Sequence, residues 1–392
     1  MNYDFDKVID RTNTNSLKYD FAVERGRPAD VLPLWVADMD FPAPQPVLDA
    51  LQKAVAHGIF GYSEVKTPYY QAVAGWFERH FGWRPEESWL IKTPGVVCAL
   101  AMAVRAYTKP GDAVLIQSPV YYPFYSVVQD NDRKLVASEL LYKDGRYSID
   151  LADFEAKIRE HRVKMVILCS PHNPIGRVWT LEELQAIGRI CKQYGVFVAS
   201  DEIHCDFAFA EHPHHVFLEA CPELADQALV CTAPSKTFNL AGLVGSYHII
   251  YNKALRDRVL ARSEKPHYNE MNVLSMHALL GAYTPEGREW VDELCEVLSG
   301  NVNFACDFIT RHFPGVQVAK PEGTYMLFLD CTDWCAAHEK TLEDVLHAGW
   351  DVGVAWQDGR MFHHPCAIRM NLALPRALVE EAFNRLSAYV FV

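Results

Sequence analysis

Residues 229–242 read LVCTAPSKTFNLAG, and this stretch decides how the rest of the chain is interpreted. The apolar run LVCT is typical of a buried strand, and the proline, asparagine and glycine that follow are typical of a turn. The strand therefore delivers Lys236 into a segment that carries no other charge. Burial disfavours the ammonium form of a lysine and makes the nucleophilic amine available for a covalent bond to an aldehyde. Taken alone, a Ser–Lys pair also fits a lysine that extends to solvent.

The composition is that of a globular protein with little affinity for nucleic acid or membranes. The 392 residues are 50% hydrophobic and 22% charged, and the length predicts one large and one small domain. The formal net charge of −13 opposes binding to polyanions such as nucleic acid and anionic lipid. The first residues lack a secretory signal pattern, and no apolar run is long enough to span a membrane. We therefore expect a cytoplasmic protein.

The cysteines argue against both a disulfide framework and a metal site. Eleven cysteines without regular spacing predict reduced thiols in the core. The spacing of Cys331, Cys335 and His338 could suit a metal, but no second pair of ligands follows them. We therefore predict no metal.

Local patterns divide the chain into three parts. Residues 1–45 lack helical periodicity and predict an extended arm that packs on the small domain. Residues 46–285 alternate helices with short apolar strands, which predicts an α/β domain with a mostly parallel central sheet covered on both faces. Residues 286–392 predict a smaller α+β domain that starts with a long helix, from about residue 286 to 311, broken by Gly300.

In the large domain, polar and aromatic residues follow the ends of successive strands. Apolar strands are predicted at residues 113–116, 163–169, 196–200 and 229–232. These strands are followed by Tyr121, Asn173, Asp201 and Lys236. Thr180 and Glu183 form a capping box at the start of a helix that ends at Gly195. Because ligands bind at the carboxyl ends of parallel strands, we expect the four strand-end residues to share one site.

Those four residues supply what a pyridoxal phosphate site needs. Asp201 can pair with the pyridine nitrogen and keep it protonated, which lets the ring accept electrons. Asn173 can donate a hydrogen bond to the phenolic oxygen, and Tyr121 can stack on the ring. Each residue also has an ordinary structural explanation, as a helix cap, an Asx turn or a core aromatic. Those separate explanations do not predict that all four residues occur in this order at the ends of successive strands.

A phosphate site is predicted beside them. Residues 93–100 read TPGVVCAL and predict a helix that begins after a glycine turn. The N–H groups at a helix start have no partner within the helix and carry partial positive charge. Gly95, Val96 and Val97, together with Ser235, can therefore hold a phosphate, although a plain buried helix also fits the segment.

Six stretches, in order, resemble the fold-type I pyridoxal-phosphate enzymes over essentially the whole chain. They are TPGVVCAL, SPVYYPF, SPHNPIG, SDEIH, APSKTFNLAG and AIRMNLA, at residues 93–100, 118–124, 170–176, 200–204, 233–242 and 367–373. Within these enzymes the chain is most similar to the cystathionine β-lyase or carbon–sulfur lyase branch. That closer similarity rests on WVADMDF at residues 35–41, on His204 and on GLVGSY at residues 242–247. Typical aminotransferases have a tyrosine in place of His204 and a phosphate-binding arginine after Gly242, which is missing here.

The resemblance implies a fold and a reaction. The fold is the fold-type I transferase fold, with a large cofactor-binding domain and a smaller α+β domain. The reaction is the α,β-elimination of L-cystathionine or related S-substituted cysteines to pyruvate, ammonia and a thiol. With cystathionine the thiol is homocysteine, which implies a role in sulfur amino acid metabolism and methionine biosynthesis.

The resemblance also implies the roles of individual residues. For the cofactor it implies covalent attachment and catalysis by Lys236, a nitrogen contact from Asp201, phenolic-oxygen contacts from Asn173 and His204, and stacking by Tyr121. For the substrate it implies an α-carboxylate anchor, Arg369, with the aromatic neighbours Trp35 and Tyr122. Tyr62 resembles a tyrosine that reaches the phosphate of the other subunit, so a homodimer with its active site at the interface is expected.

Two other functions fit the same resemblance less well. An aminotransferase would use the same residues and would need a 2-oxo acid as acceptor. A regulatory protein could keep the fold without its activity, but Lys236 is present and residues 1–45 contain no helix-turn-helix pattern.

Overall fold

The computed structural model describes residues 2–264 and 270–392. Within these ranges the strands are β1 (Leu32–Pro33), β2 (Leu90–Thr93), β3 (Ala113–Ser118), β4 (Lys134–Lys143), β5 (Arg146–Ile149), β6 (Met165–Cys169), β7 (Phe197–Asp201), β8 (Ala228–Thr232), β9 (Ser246–Ile249), β10 (Gln317–Val318), β11 (Met326–Asp330), β12 (Val354–Ala355), β13 (Gln357–Asp358) and β14 (Ala367–Asn371). The α-helices are α1 (Gln45–His57), α2 (Thr67–Phe81), α3 (Val96–Tyr107), α4 (Pro123–Gln129), α5 (Leu151–His161), α6 (Leu181–Tyr194), α7 (Phe217–Ala220), α8 (Pro234–Thr237), α9 (Lys253–Glu264), α10 (Val273–Ala282), α11 (Pro285–His312), α12 (Thr332–Ala337), α13 (Leu342–Asp351) and α14 (Arg376–Tyr389). Short 3₁₀ helices lie at Val23–Arg25, Glu87–Trp89, Cys205–Phe207, Pro222–Leu224, Ala241–Leu243 and Gly359–Phe362.

The large domain is built on an eight-stranded sheet with the order β2-β9-β8-β7-β6-β3-β4-β5. The strands from β8 through β4 are parallel to their neighbours, whereas β9 runs antiparallel to β8 and to β2, and β5 runs antiparallel to β4. The predicted mostly parallel sheet is therefore confirmed.

Helices cover both faces of this sheet. Every residue of β3, β6, β7 and β8 is buried, which is typical of parallel strands that are covered on both sides. Successive side chains alternate between two apolar cores: Leu115 belongs to one core, and Val114 and Ile116 to the other. The second core packs around α3 and α4.

Local signals explain where several helices begin and end. The predicted capping box of α6 is present: the N–H of Glu183 donates to Thr180 Oγ1 at 3.3 Å, and the N–H of Thr180 donates to Glu183 Oε2 at 2.9 Å. The helix ends at Gly195 with φ of 64°. The predicted break at Gly300 is wrong, because α11 continues from Pro285 to His312. A glycine inside a helix costs only about 1 kcal/mol, and buried residues on both sides of this position hold α11 in place.

The apolar periodicity of the sequence does not predict the hairpin formed by β4 and β5. The burial of β4 alternates, so the strand lacks the continuous apolar run of its neighbours. The signal that could have revealed it is the Asp144–Gly145 pair, because both residues adopt positive φ, 51° and 76°, as a two-residue hairpin turn requires.

The C-terminal region contains a four-stranded antiparallel sheet with the order β10-β11-β14-β13. The N-terminal segment contacts this region where β1 pairs with β12, and it also contacts α11, where Phe5 packs against Trp290. The domain limits at residues 45 and 285 stay a prediction. None of the helices formed by the described residues combines the length and apolarity that crossing a bilayer requires.

Candidate active site

Many predicted site residues line two adjoining cavities at the carboxyl ends of the parallel strands. The first cavity is lined by Val96, Val97, Tyr121, Asn173, Asp201, His204 and Lys236. The second, of about 460 Å³, is lined by Trp35, Tyr122 and Arg369 among others. Tyr121 and Lys236 line both cavities and so connect them.

Lys236 lies in α8, a single helical turn directly after β8. Its Nζ donates a hydrogen bond to the carbonyl oxygen of Ala37 at 2.7 Å. Burial lowers the pKa of this amine to about 8, and the charge of Arg369 adds to the effect, whereas Asp38 and Asp201 oppose it. At pH 7 roughly one tenth of such an amine is neutral, against about one in several thousand for an ordinary lysine. Lys236 is therefore a better nucleophile and base than a surface lysine.

Asp201 ends β7 and lies level with Cys169 of β6 and Cys231 of β8. Its side chain is buried, and Oδ1 accepts a hydrogen bond from the N–H of Ile203 at 3.1 Å. Burial raises the pKa of this carboxyl to about 7, and the hydrogen bond from Ile203 opposes the increase. A cation placed against such a group stabilises its ionised form.

His204 and Asn173 place polar atoms beside Asp201. The Nδ1 atom of the buried His204 has no hydrogen-bond partner among the described residues. Burial, with the charges of Lys236 and Arg369, lowers the pKa of His204 to about 3, so the ring is neutral. Asn173 Oδ1 accepts a hydrogen bond from Arg369 Nη1 at 3.5 Å. Asn173 therefore links the two cavities.

The start of α3 forms another wall of the first cavity. Gly95 precedes the helix with φ of 96°, a conformation that residues with a side chain rarely adopt. This turn presents the free N–H groups of Val96 and Val97 at the helix start, as expected for an anion site. Ser235 does not line this cavity and instead borders a smaller one beside Tyr69.

Arg369 lies in β14 of the small sheet and lines the second cavity. Nη2 donates to the backbone oxygen of Trp35 at 3.0 Å and to Gln357 Oε1, and Nε has no partner among the described residues. The guanidinium lies 4.8 Å from the ring centre of Phe362. Burial lowers the pKa of Arg369 to about 10, and the group stays charged at neutral pH. It can therefore bind a carboxylate that displaces Gln357.

Tyr62 does not reach the cavities of its own chain. Its side chain is 100% exposed and borders a surface hollow together with Phe60, Glu64 and Lys92. Any contact between Tyr62 and a bound phosphate would therefore have to be made in another copy of the chain.

A network of ion pairs that the sequence does not predict holds residues 35–40 against the site. Lys18 is fully buried, and its Nζ donates to Asp40 Oδ2 at 2.9 Å and to the Asp38 carbonyl at 3.2 Å. Arg11 binds the carboxylates of both aspartates. No sequence pattern pairs Lys18 with Asp40, because both occur in a segment without regular secondary structure.

The lining of the first cavity fits pyridoxal phosphate. It holds an amine of lowered pKa for the aldehyde, a buried carboxyl for the ring nitrogen and a helix start for the phosphate. The unpartnered Nδ1 of His204 is a buried polar atom that a bound ring oxygen could satisfy. No arginine occurs in residues 242–247, so the phosphate charge depends on the start of α3 and on groups outside this stretch.

Comparison with known proteins gives consistent similarities. Residues 29–386 match the family model described as aminotransferase class I and II. The chain is 40% identical to cystathionine beta-lyase PatB of Bacillus subtilis (strain 168) over 345 residues, 88% of this chain and 89% of the relative. Cystalysin of Treponema denticola, whose crystal structure contains pyridoxal 5′-phosphate, matches with a TM-score of 0.92 and 35% identity over 99% and 98% of the two chains. The PLP-bound C-S lyase of Staphylococcus hominis matches with a TM-score of 0.92 and 31% identity over 100% and 99%.

Proposed function

The chain belongs to the aminotransferase class I and II family, and on this basis we propose that it is a pyridoxal-phosphate-dependent carbon–sulfur β-lyase. Its substrates are L-cystathionine and related S-substituted cysteines. The observation that carries the proposal is the position of Lys236, which lines one cavity with Asp201 and the adjoining cavity with Arg369 and whose pKa is lowered to about 8. The similarity to relatives described as cystathionine β-lyase and C-S lyase supports the choice of reaction.

Several residues of the first cavity hold the cofactor in this proposal. When bound, pyridoxal phosphate supplies an aldehyde for a covalent bond to an amine and a ring that accepts the electron pair left by a departing Cα proton. Lys236 provides the amine, and the Asp201 carboxylate pairs with the protonated ring nitrogen. Asn173 and His204 face the phenolic oxygen, and Tyr121 stacks on the ring. The N–H groups of Val96 and Val97, with Gly95 before them, would hold the phosphate. Ser235 would contribute from the smaller cavity that it borders.

The residues around the substrate position it and move its proton. Arg369 binds the α-carboxylate through its guanidinium fork, between the aromatic walls of Trp35 and Tyr122. The free amine of Lys236 then takes the proton from Cα as a general base. The bond between Cβ and sulfur breaks with its electron pair on sulfur, and the thiolate leaves. With one water consumed, cystathionine gives homocysteine, pyruvate and ammonia.

Transamination is the alternative, because the family model is that of aminotransferases and the same residues would serve it. Addition of L-cystathionine to the purified holoenzyme separates the two. A lyase releases pyruvate and homocysteine in equal amounts without any 2-oxo acid. Consumption of an added 2-oxo acid, with no thiol released, would show the chain to be an aminotransferase.

The pKa of Lys236 predicts how cofactor uptake depends on pH. Only the neutral amine attacks the aldehyde, so we expect the association rate of pyridoxal phosphate with the cofactor-free protein to rise with pH and to level off above about 8. Stopped-flow absorbance between pH 6 and 10 measures this rate. Because Arg369 repels the ammonium, Arg369→Leu should move the midpoint to higher pH. A wild-type midpoint near the ordinary lysine value of about 10.5 would contradict the prediction.

A homodimer is part of the proposal. Ile59, Phe60 and Tyr62 are 72%, 58% and 100% exposed and lie together in the segment after α1, so they form an apolar surface that a second copy could cover. In such a dimer Tyr62 reaches the phosphate of the partner's site. Sedimentation equilibrium should give twice the chain mass of 44.5 kDa.

The shared site can be tested with hybrid dimers. We expect Tyr62→Ala and Lys236→Ala each to be nearly inactive as homodimers. A hybrid of the two, purified through two different tags, holds one complete site and should recover about half of the wild-type activity. An inactive hybrid of two correctly folded chains would show that Tyr62 acts within its own subunit, and an active Tyr62→Ala homodimer would show that Tyr62 has no role in the site.

The proposal includes a metabolic role and a cellular compartment. Homocysteine is methionine without its S-methyl group, so cleavage of cystathionine would serve methionine biosynthesis. Free thiols packed in the core, such as those of Cys191 and Cys231, suit a reducing compartment such as the cytoplasm.

A further inference from the structure

Arg25 brings a second guanidinium to the cavity that contains Lys236 and Arg369. It ends the 3₁₀ helix Val23–Arg25 and lines the cavity of about 460 Å³. Its Cζ lies 4.8 Å from the ring centre of Trp35, and Arg369 binds the backbone oxygen of that same tryptophan at 3.0 Å. Both guanidinium groups therefore contact the same tryptophan.

Arg25 has no acidic partner in the part of the chain that the structure describes. Among the described residues none forms a salt bridge or a hydrogen bond with its guanidinium, whereas Arg11 contacts two carboxylates and so does Arg360. Arg25 is an exposed residue that also lines the cavity, so its guanidinium is accessible to an anionic ligand that enters the cavity from solvent. Stacking on an aromatic ring restricts such a group and leaves its N–H fork free for a carboxylate.

The spacing of the two guanidinium groups suits a ligand with a carboxylate at each end. Both contact one tryptophan, Arg25 at its ring and Arg369 at its backbone oxygen, so the two guanidinium groups lie within roughly 15 Å of each other. The two carboxylate carbons of extended cystathionine are separated by seven bonds, or roughly 9 Å. A substrate anchored on Arg369 by its α-carboxylate can therefore direct its far end towards Arg25.

We propose that Arg25 binds a carboxylate at the far end of the sulfur substituent, so that the preferred substrates are S-substituted cysteines whose substituent ends in a carboxylate. This inference rests on the proposed β-lyase function, for which it names the substrate class. Arg25 acts on substrate selection and not on the chemical step.

Turnover of two matched substrates tests the proposal. S-(3-carboxypropyl)-L-cysteine carries a terminal carboxylate, and S-butyl-L-cysteine carries a methyl group instead. With the holoenzyme, Arg25→Leu should lower kcat/KM for the first by about 10- to 100-fold, the effect of losing a hydrogen bond to a charged group, and for the second by less than about twofold. Arg25→Lys should recover part of the loss, since it restores the charge. Equal losses for both substrates, or no loss for either, would overturn the proposal.

Arg27 provides a matched control variant. Its guanidinium stacks on Trp350 at 4.8 Å, the same distance as that of Arg25 from Trp35, but Arg27 does not line the cavity. Arg27→Leu should therefore leave both kcat/KM values unchanged. A selective loss in this variant would assign the effect to the loop and overturn the assignment to Arg25.

A binding measurement separates this inference from the proposed reaction. L-2-aminosuberate and L-2-aminooctanoate have no leaving group at Cβ and differ only in a terminal carboxylate, and in the first the two carboxylate carbons are seven bonds apart, as in cystathionine. In calorimetric titrations of the holoenzyme, Arg25→Leu should weaken binding of the first by at least about tenfold and leave the second unchanged. If this selectivity holds but no thiol is released from any substrate, the β-lyase function fails and Arg25 keeps its role. If the wild type binds both compounds equally, the role of Arg25 fails whatever the reaction.

Discussion

Replacement of Lys236 by alanine is expected to lower the rate of thiol release from L-cystathionine by at least about 10⁴-fold. The substitution removes both the amine that attaches the cofactor and the base that takes the Cα proton, and a general base alone contributes about 10² to 10⁴. Thiol and pyruvate are assayed together, and the visible absorbance of the bound cofactor shows whether covalent attachment is lost.

The fold should survive this change. Within the described residues the side chain of Lys236 makes one hydrogen bond, to Ala37, and the adjoining turn keeps the backbone bonds of Phe238 to Pro234 and of Leu240 to Ser235. Circular dichroism should therefore show a melting transition close to that of the wild type. Lys253→Ala is the control, because Lys253 is exposed and pairs only with Asp257 within its helix. A Lys236→Ala protein that keeps more than about one per cent of the activity would contradict the assigned role.

Replacement of Asp201 by asparagine is expected to lower elimination by about 10² to 10⁴-fold. Asparagine has nearly the same shape and can still accept the hydrogen bond from the N–H of Ile203, but it has no charge with which to keep the ring nitrogen protonated. Covalent uptake of the cofactor by Lys236 should persist, so the spectrum of the bound cofactor provides the control. A variant with unchanged turnover would mean that the ring nitrogen has another partner.

The same substitution lowers activity but should increase the stability of the cofactor-free protein at neutral and higher pH. Burial raises the pKa of Asp201 from 3.8 to about 7, so the folded state binds more protons than the unfolded state between these values. The wild type therefore loses stability as pH rises from about 4 to about 7, whereas Asp201→Asn avoids this loss. Denaturant unfolding at pH 5 and pH 8 should show that the variant gains relative to the wild type at the higher pH. An equal stability difference at both values would contradict the raised pKa.

The sequence was sufficient to predict the part of the site that lies at the carboxyl ends of the parallel strands. Asn173, Asp201 and Lys236 follow strands that are adjacent in the sheet, so the alternation of strands and helices was enough to bring them together. Contacts of this kind depend on local periodicity and on a general property of parallel sheets. The capping box at Thr180 was predictable for the same reason, because it involves residues three positions apart.

The contacts of Arg369, Lys18 and Gln357 could not be predicted in the same way. They depend on the register of the small antiparallel sheet and on how the N-terminal segment lies across the domains, neither of which leaves a periodic signal in the chain. Motif similarity singled out Arg369, but it gave no information about the oxygen of Gln357 that this arginine contacts. The unbroken helix at Gly300 shows the converse case, in which tertiary packing outweighs a local preference.

The hydrogen bond between Arg369 and the backbone of Trp35 joins residues 334 positions apart in the chain. During synthesis from the N-terminus, Asn173, Asp201 and Lys236 leave the ribosome more than a hundred residues before Arg369 does. Closing so long a loop is entropically expensive and slow. The residues proposed to bind the cofactor are therefore expected to fold first. The proposed substrate-binding residue, Arg369, reaches its position only when the last strand, β14, joins the small sheet.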